Sequence, residues 1–382
     1  MDTTWLTLSD PDMSEIEAAA ARDVLVSARM SSGPVTEGFE EAFAQYLGRK
    51  HAIAVSSGII GLYLTLQAYG VGPGDEIVAP SHSFRETVHA IALTGARPVF
   101  ADVDYWTGAL APDKAAACLT ERTRMIVAGN PAGHPAPWAP LRELATGAGV
   151  ALIEDSTEAI GSVYKGARVG SFGDCSIFDF SQPGALICGE GGMIVTDDDD
   201  RALAIRRLRS RKLEERTSVV IGAVAPLQAS LSDLASAVGL AQLRRLDVLL
   251  ARRKTIEAYY GDYFRSFEGI KDPYIAPDVD EVHWFLFVVH LGTRFSRSSR
   301  DSIIDDLKTE KIESAAYSQP LHLQRRYFDM GYRRGDFFVT EKVADRAVAL
   351  PFHAHLTEEQ IAFIVGTMKD ASINNGAGAA IY

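Results

Sequence analysis

The chain has 382 residues, 47% of them hydrophobic and 23% charged, and a formal net charge of −12. That length allows a sizeable core and two unequal domains, while the acidic balance argues against nucleic acid or an anionic membrane as partner. The N-terminal MDTTWLTLSDPDMSEIE has no basic segment followed by an apolar run, no stretch reaches the length of a membrane span, and Cys118, Cys175 and Cys188 have no metal or disulfide spacing. The expectation is a cytoplasmic protein with reduced cysteines and no metal.

Helical spacing over residues 13–30 ends at the Gly33-Pro34 break, and a second helix fits 36–48. Short apolar runs then alternate with helical patterns. The runs are His51–Val55, Glu76–Ala79, Pro98–Ala101, Met125–Ala128, Val150–Ile153, Cys175–Phe180 and Met193–Thr196, with helices at 58–69, 84–94, 113–119 and 138–148. Runs of about five residues joined by crossover helices predict an α/β fold whose mostly parallel sheet is covered on both faces. Ligands of such sheets bind beyond the carboxyl ends of the strands. That rule selects Ser56-Ser57-Gly58, Pro80-Ser81-His82, Asn130, Glu154-Asp155 and Asp179. Asp197–Asp200 reads as a turn capping the next helix, and RRLRSRK at 206–212 as a helix face with its exit loop. A long helix is predicted from Ser232 to Tyr260. Beyond it, 282–292 alternates as a strand, and 300–310, 338–350 and 357–370 read as helical. The expected division is a large α/β domain at 1–254 and a smaller α+β domain at 255–382.

Several longer stretches occur in one order: SGPVTEGFEEAFAQYLGRKHAIAVSSG, GVGPGDEIVAPSHSF, GARPVFADVD, GVALIEDSTEAIGSVYKGARVGSFGD, GEGGMIVT, SDLASAVGLAQLRRLD and YSQPLHLQRRY. Over roughly residues 10–370 the chain resembles the DegT/DnrJ/StrS-type sugar aminotransferases. The resemblance implies an aspartate-aminotransferase-like fold, a homodimer with a shared site, a nucleotide-linked keto-sugar substrate, and pyridoxal phosphate (PLP) as the usual cofactor. It assigns Asp155 to the cofactor ring nitrogen, Phe84 to ring stacking and Glu158 to the position beside the phenolic oxygen. Ser57, Gly58 and Ile59 match the phosphate-binding turn. Asp179 matches a phosphate-binding serine. Gln228 and Ser230 match the residues that complete the partner's site.

Four of these positions depart from the family pattern. Gly184 stands where the lysine that carries the cofactor is expected, and glycine has no amine. No lysine occurs between Lys165 and Lys212. Ile59 lacks the hydroxyl of the usual threonine. Asp179 brings a carboxylate towards a phosphate, which is repulsive. Glu158 replaces a neutral residue. Sugar dehydratases of the family also lack the lysine and use pyridoxamine phosphate (PMP) non-covalently, but they keep the phosphate contacts.

These departures lead to an expectation of no cofactor, with PLP or PMP as the alternative. The main functional expectation is cofactor-independent acid–base chemistry on a sugar-like metabolite of specialised biosynthesis. Glu158, Asp179, His82 and Asp155 are its candidate catalytic residues, with His134 and His322 as further candidates that structural roles also explain. Neighbouring carboxylates push each other's pKa apart, which gives an acid and a base and should raise that of Glu158. The alternatives are a PLP- or PMP-dependent dehydratase or atypical aminotransferase, and a non-catalytic partner or regulatory protein.

Overall fold

A computed structural model describes residues 5–83, 85–210, 225–265, 267 and 269–376, with no side-chain description at 85 and 86. Helix α1 (Glu15–Leu25) begins at Ser14, whose hydroxyl and the Glu17 carboxylate cap each other's backbone. Helix α2 (Pro34–Leu47) has proline in its first turn and ends at left-handed Gly48, φ 67°. Strand β1 (His51–Val55) leads through Ser57 into α3 (Gly58–Ala68).

Alternation follows: β2 (Glu76–Pro80), α4 (Arg85–Leu93), β3 (Arg97–Ala101), α5 (Pro112–Ala117), β4 (Thr123–Gly129), α6 (Trp138–Ala148) and β5 (Ala151–Asp155). The small hairpin strands β6 (Val163–Tyr164) and β7 (Ala167–Arg168) precede β8 (Cys175–Asp179) and β9 (Gly192–Thr196). The seven-stranded sheet has the order β1-β9-β8-β5-β4-β2-β3. Every neighbouring pair is parallel except the two that β9 makes, with β1 and with β8. The predicted mostly parallel sheet is therefore present, and all seven predicted runs are its strands. The carboxyl ends of β5 and β8 lie side by side, which brings Asp155 and Asp179 to one edge.

Helix α7 (Asp199–Arg209) is capped by Asp198, as the acidic run predicts. Its Arg206 donates to Glu40 at 2.6 Å and to the Ala52 carbonyl at 2.8 Å, so this arginine braces β1 against α2. Residues 211 and 212 of the basic run lie outside the described residues. The predicted long helix is two, α8 (Asp233–Arg244) and α9 (Leu246–Phe264), which break at Arg245. Asp233 accepts from the amides of Gly33 at 2.8 Å and Thr36 at 2.9 Å, so it caps α2 from two hundred residues away.

Short strands β10 (Ile270–Lys271) and β11 (Val279–Glu281) precede β12 (Phe287–Leu291) and α10 (Arg297–Thr309). Then come β13 (Ala315–Ala316), α11 (Arg325–Phe328), α12 (Phe338–Ala344), β14 (Ala347–Leu350) and α13 (Glu358–Gly376). A second sheet has the order β10-β12-β14-β13, all antiparallel. Residues 338–350 were expected to be helical, but AVAL at 347–350 is the buried strand β14 between β12 and β13. A fully buried run of this length has no period that separates strand from helix. One apolar core runs from Val78, Ile126 and Leu152 of the large sheet to Phe287, Val289 and Ile364. A second core lies under α3 and α4 on the opposite face.

Strand alternation turns Glu154 away from Asp155. Glu154 is fully buried and accepts from the amides of Gly170 (2.7 Å), Phe172 (2.8 Å) and Gly173 (3.2 Å), and from the Ser176 hydroxyl (3.0 Å). This one carboxylate holds the loop between β7 and β8, and through it the position of Asp179. Glu154→Gln puts an amide donor against backbone donors, so it should cost about 2–4 kcal/mol of stability. Urea unfolding tests this. A midpoint equal to wild type would show that the loop is held elsewhere.

Candidate active site

Helix α3 starts at the carboxyl end of β1, where its first amides point at the sheet mouth. Ser57 caps it through the Ile60 amide. The Gly58 amide donates to Asp179 Oδ2 at 2.7 Å. The other Asp179 oxygen accepts from the Ser181 amide at 2.8 Å and from the Ser181 hydroxyl. A carboxylate withdrawn from water is costly without partners, and the partners here are backbone and side-chain donors. A Cβ added at Gly58 would lie 2.9 Å from Asp179 Cβ, so the close packing of these two residues requires glycine. Ile59 lines the same cavity, together with Thr87, Asp155 and Asp179.

Asp155 is buried at the end of β5. It accepts from the Thr87 hydroxyl and from the Thr157 amide at 3.1 Å. Burial pushes its carboxyl above the usual range and the Asp179 charge adds to that, while the hydrogen bonds from Thr157 and Thr87 pull the other way. Above the ordinary carboxylate pKa the folded state keeps a proton that the unfolded chain releases, so Asp155 subtracts stability as pH rises through that window. Asn can still accept from Thr157, and the Thr87 hydroxyl can turn to accept from the new amide. Asp155→Asn should therefore raise the melting midpoint relative to wild type, with the gain growing from about pH 4 to about pH 7. A gain independent of pH would place the cost elsewhere.

Glu158 is also buried. It accepts from the Ala132 amide at 2.8 Å and from the Tyr317 hydroxyl. Ala132 takes a left-handed backbone, φ 54°, that aims this amide into the site. Tyr317 reaches across from beside β13. Burial, then the Glu158 charge, raises its phenol well above the usual value, so it stays a donor.

Gly184 lines a small pocket with Thr157, Glu158, Phe178, Asp179 and Trp284. Asp155, Thr157, Glu158 and Asp179 each line two of three adjoining cavities, which makes these one composite pocket at the sheet mouth.

His82 belongs to this pocket and is 3% exposed. Burial lowers its pKa to about 4, against an opposite pull from the Tyr317 backbone. The Ser318 amide donates to Nε2 at 3.2 Å, so the neutral ring carries its proton on Nδ1, which has no partner. His82 therefore faces the pocket as a neutral donor. His134 is a structural residue. Its Nδ1 bonds the Pro135 carbonyl at 2.8 Å and its Nε2 accepts from the Ala276 amide at 3.0 Å. His322 is buried against Glu341 at 3.2 Å and lies outside the composite pocket.

Gln228 is exposed, with φ 56°, and does not line the pocket of its own chain. Ser230 bonds Ser210 at 2.6 Å. Phe84 lies outside the described residues. Sequence reasoning gave no role to Thr87, Ser181 or Tyr317. Tyr317 opens the YSQPLHLQRRY stretch and carried a signal, whereas Thr87 and Ser181 carried none until their neighbours in space were known.

This arrangement defines an aminotransferase-like α/β protein with its pocket at the carboxyl ends of the sheet strands. Residues 11–369 match the DegT/DnrJ/EryC1/StrS aminotransferase family, and the chain belongs to it. It is 33% identical over 374 residues to the GDP-perosamine synthase of Caulobacter vibrioides, covering 98% of this chain and 93% of that one. It is similar to the structure of S. venezuelae DesV in complex with a ketimine intermediate, with TM-score 0.87, 31% identity and coverage of 96% and 98%. The Streptococcus pneumoniae protein Spr1654, named as a putative sugar aminotransferase, shares the fold at 24% identity. Its PLP form has TM-score 0.90 and its PMP form 0.89, each covering 97% and 99% of the two chains.

These findings overturn the expectation of no cofactor drawn from Gly184, Ile59 and Asp179. The family is one of aminotransferases, and similar structures were solved in PLP and PMP forms or with a ketimine. The cofactor-independent reading gives way with it. No helix among the described residues is long and apolar enough to cross a membrane.

Proposed function

We propose that this chain is a sugar-modifying enzyme that holds a PLP- or PMP-type cofactor without a lysine tether, as a dehydratase or an atypical aminotransferase. The observation that carries it is the buried Asp155 carboxylate at the end of β5, inside the composite pocket and held by Thr87 and Thr157. Asp155 suits a protonated pyridine nitrogen, because a carboxylate there stabilises the ring's positive charge. When bound, such a cofactor supplies an electron sink for bond changes next to a carbon–nitrogen bond. Glu158, kept in place by Tyr317 and Ala132, is the proton-handling carboxylate beside Gly184. The unpartnered Nδ1 of His82 offers a proton to a ligand oxygen in the same pocket. The phosphate end fits less well, since Asp179 already holds the first amide of α3.

The family relationship supports a nucleotide-linked sugar as substrate, by analogy with a relative named for a GDP-sugar. We read the assembly as a homodimer in which exposed Gln228 reaches the neighbour's pocket. Sedimentation at about micromolar concentration tests it, and a monomer there would remove the shared-site reading.

PMP titration followed by calorimetry tests the cofactor itself. Wild type should bind PMP reversibly, and Asp155→Asn should weaken that binding about tenfold or more. Equal affinity in the two proteins, or no binding in either, would defeat the reading. Without a tether, the cofactor should also be removed by desalting.

A further inference from the structure

We infer that Asp179 is a built-in anion that occupies the phosphate seat at the start of α3 and sets the affinity for phosphate-bearing ligands. The inference rests on the cofactor reading above and deepens it.

The first amide of a helix, together with the helix dipole, forms a ready seat for an anion. Here that seat is filled from within the chain. Asp179 Oδ2 takes the Gly58 amide at 2.7 Å, while Oδ1 takes the Ser181 amide at 2.8 Å and the Ser181 hydroxyl. Both carboxylate oxygens are thus engaged, in the way two oxygens of a bound phosphate would be. No cation pairs with Asp179 among the described residues, so these donors and the helix end hold its charge. The contact is tight as well as polar, since a Cβ at Gly58 would lie 2.9 Å from Asp179 Cβ.

A phosphate cannot share the Gly58 amide with this carboxylate. It must displace the carboxylate, and the two anions repel each other at contact distance. Ile59 offers no hydroxyl in compensation. Asp179 therefore opposes the phosphate end of the cofactor and leaves the ring end, at Asp155, unaffected. A ligand with the same ring and no phosphate meets no such opposition.

The test uses full-length wild type, Asp179→Ser and Asp179→Asn, with three probes: PMP, pyridoxamine and inorganic phosphate. Serine frees the seat and offers a hydroxyl. Asparagine keeps the size and removes the charge, so at least one variant reports on the seat if the other folds poorly. Calorimetry should show PMP binding tightened about tenfold to a hundredfold in Asp179→Ser, with a smaller gain in Asp179→Asn. Pyridoxamine affinity should stay within about threefold of wild type. Inorganic phosphate should raise the melting midpoint of the variants and not of wild type.

PMP binding that is equal in wild type and both variants would overturn the inference and leave the cofactor reading standing. Phosphate binding gained by the variants without any PMP binding would do the reverse. Loss of PMP binding in folded variants would show that Asp179 assists the phosphate, which also overturns the inference.

Discussion

Gly184→Lys alone should give no stoichiometric covalent adduct with PLP, whereas Gly184→Lys/Ile59→Thr/Asp179→Ser should give one. Space at the Cβ is not the obstacle. A Cβ at Gly184 meets the Ser181 carbonyl at 3.4 Å, Ile187 Cγ1 at 3.5 Å and the Leu186 carbonyl at 3.6 Å, all ordinary contacts. The side chain would leave that point into the cavity it shares with Glu158 and Asp179. Charge is one obstacle. A lysine there meets two carboxylates, and nearby negative charge favours the ammonium over the nucleophilic amine. The phosphate seat is the other, because Asp179 keeps the Gly58 amide whether or not an amine is present. Asp179→Ser removes one of the two pairing charges and opens the seat in the same step, so the repairs should be strongly non-additive. The single variant should bind PLP within about tenfold of wild type, and the triple variant at least about a hundredfold more tightly. Borohydride reduction and peptide mapping of residues 170–200 read the adduct. A stoichiometric adduct in the single variant would show that Asp179 is no barrier.

The parts of the fold set by hydrophobic period were legible. Each run in the large sheet is short, apolar and bounded by turn residues, so seven strands could be placed, and the strand-end rule then selected Asp155, Asp179 and His82. Strand β14 was not legible, because AVAL is buried on all sides and carries no period. The break at Arg245 was hidden for a related reason, since helical spacing continues across it. Within the site, charge identity was legible and pairing was not. The sequence placed the Asp179 carboxylate at the sheet mouth, but it could not say that its partner was the Gly58 amide, 121 residues away. It offered Glu154 and Asp155 together. Alternation separates them, and Glu154 turned out to serve the β7–β8 loop. His82 was expected as an acid or base, but the Ser318 amide and full burial make it a neutral donor. The cofactor expectation failed differently. Gly184, Ile59 and Asp179 together pointed to loss of the cofactor, although non-covalent binding was an open alternative, and the PLP and PMP forms of similar structures overturn that expectation.

Glu158→Gln should lower turnover by about two orders of magnitude or more, in a protein that still folds. Glu158 is a carboxylate that shares the cavity of Gly184 with Asp179 and His283, and its position is fixed from two sides. Ala132, held in a left-handed backbone, donates at 2.8 Å, and Tyr317 donates its hydroxyl from beside β13. The phenol of Tyr317 is raised well above its ordinary value by burial and then by the Glu158 charge, so it keeps its proton for Glu158 while its oxygen also accepts from the Ala132 amide at 2.6 Å. The pair thus orients one carboxylate into the cavity that Gly184 lines, where the proposed reaction needs a proton carrier near the substrate carbon. Gln keeps the shape and still accepts from Ala132 and Tyr317 through its oxygen, so it removes the proton chemistry and little else. Tyr317→Phe leaves the carboxylate and removes one support, which should cost about tenfold. The measurement is single-turnover conversion of a nucleotide-linked keto-sugar by PMP-loaded wild type, Glu158→Gln and Tyr317→Phe across pH, with melting midpoints and PMP affinity recorded for each. A structural role alone would lower the midpoint or the affinity and leave the pH profile of the remaining activity unchanged. A proton-transfer role removes the limb of the profile that belongs to Glu158 and leaves PMP affinity near that of wild type. An unchanged rate in Glu158→Gln would take this carboxylate out of the chemistry and pass the proton to Asp179, the other carboxylate on the cavity that Gly184 lines.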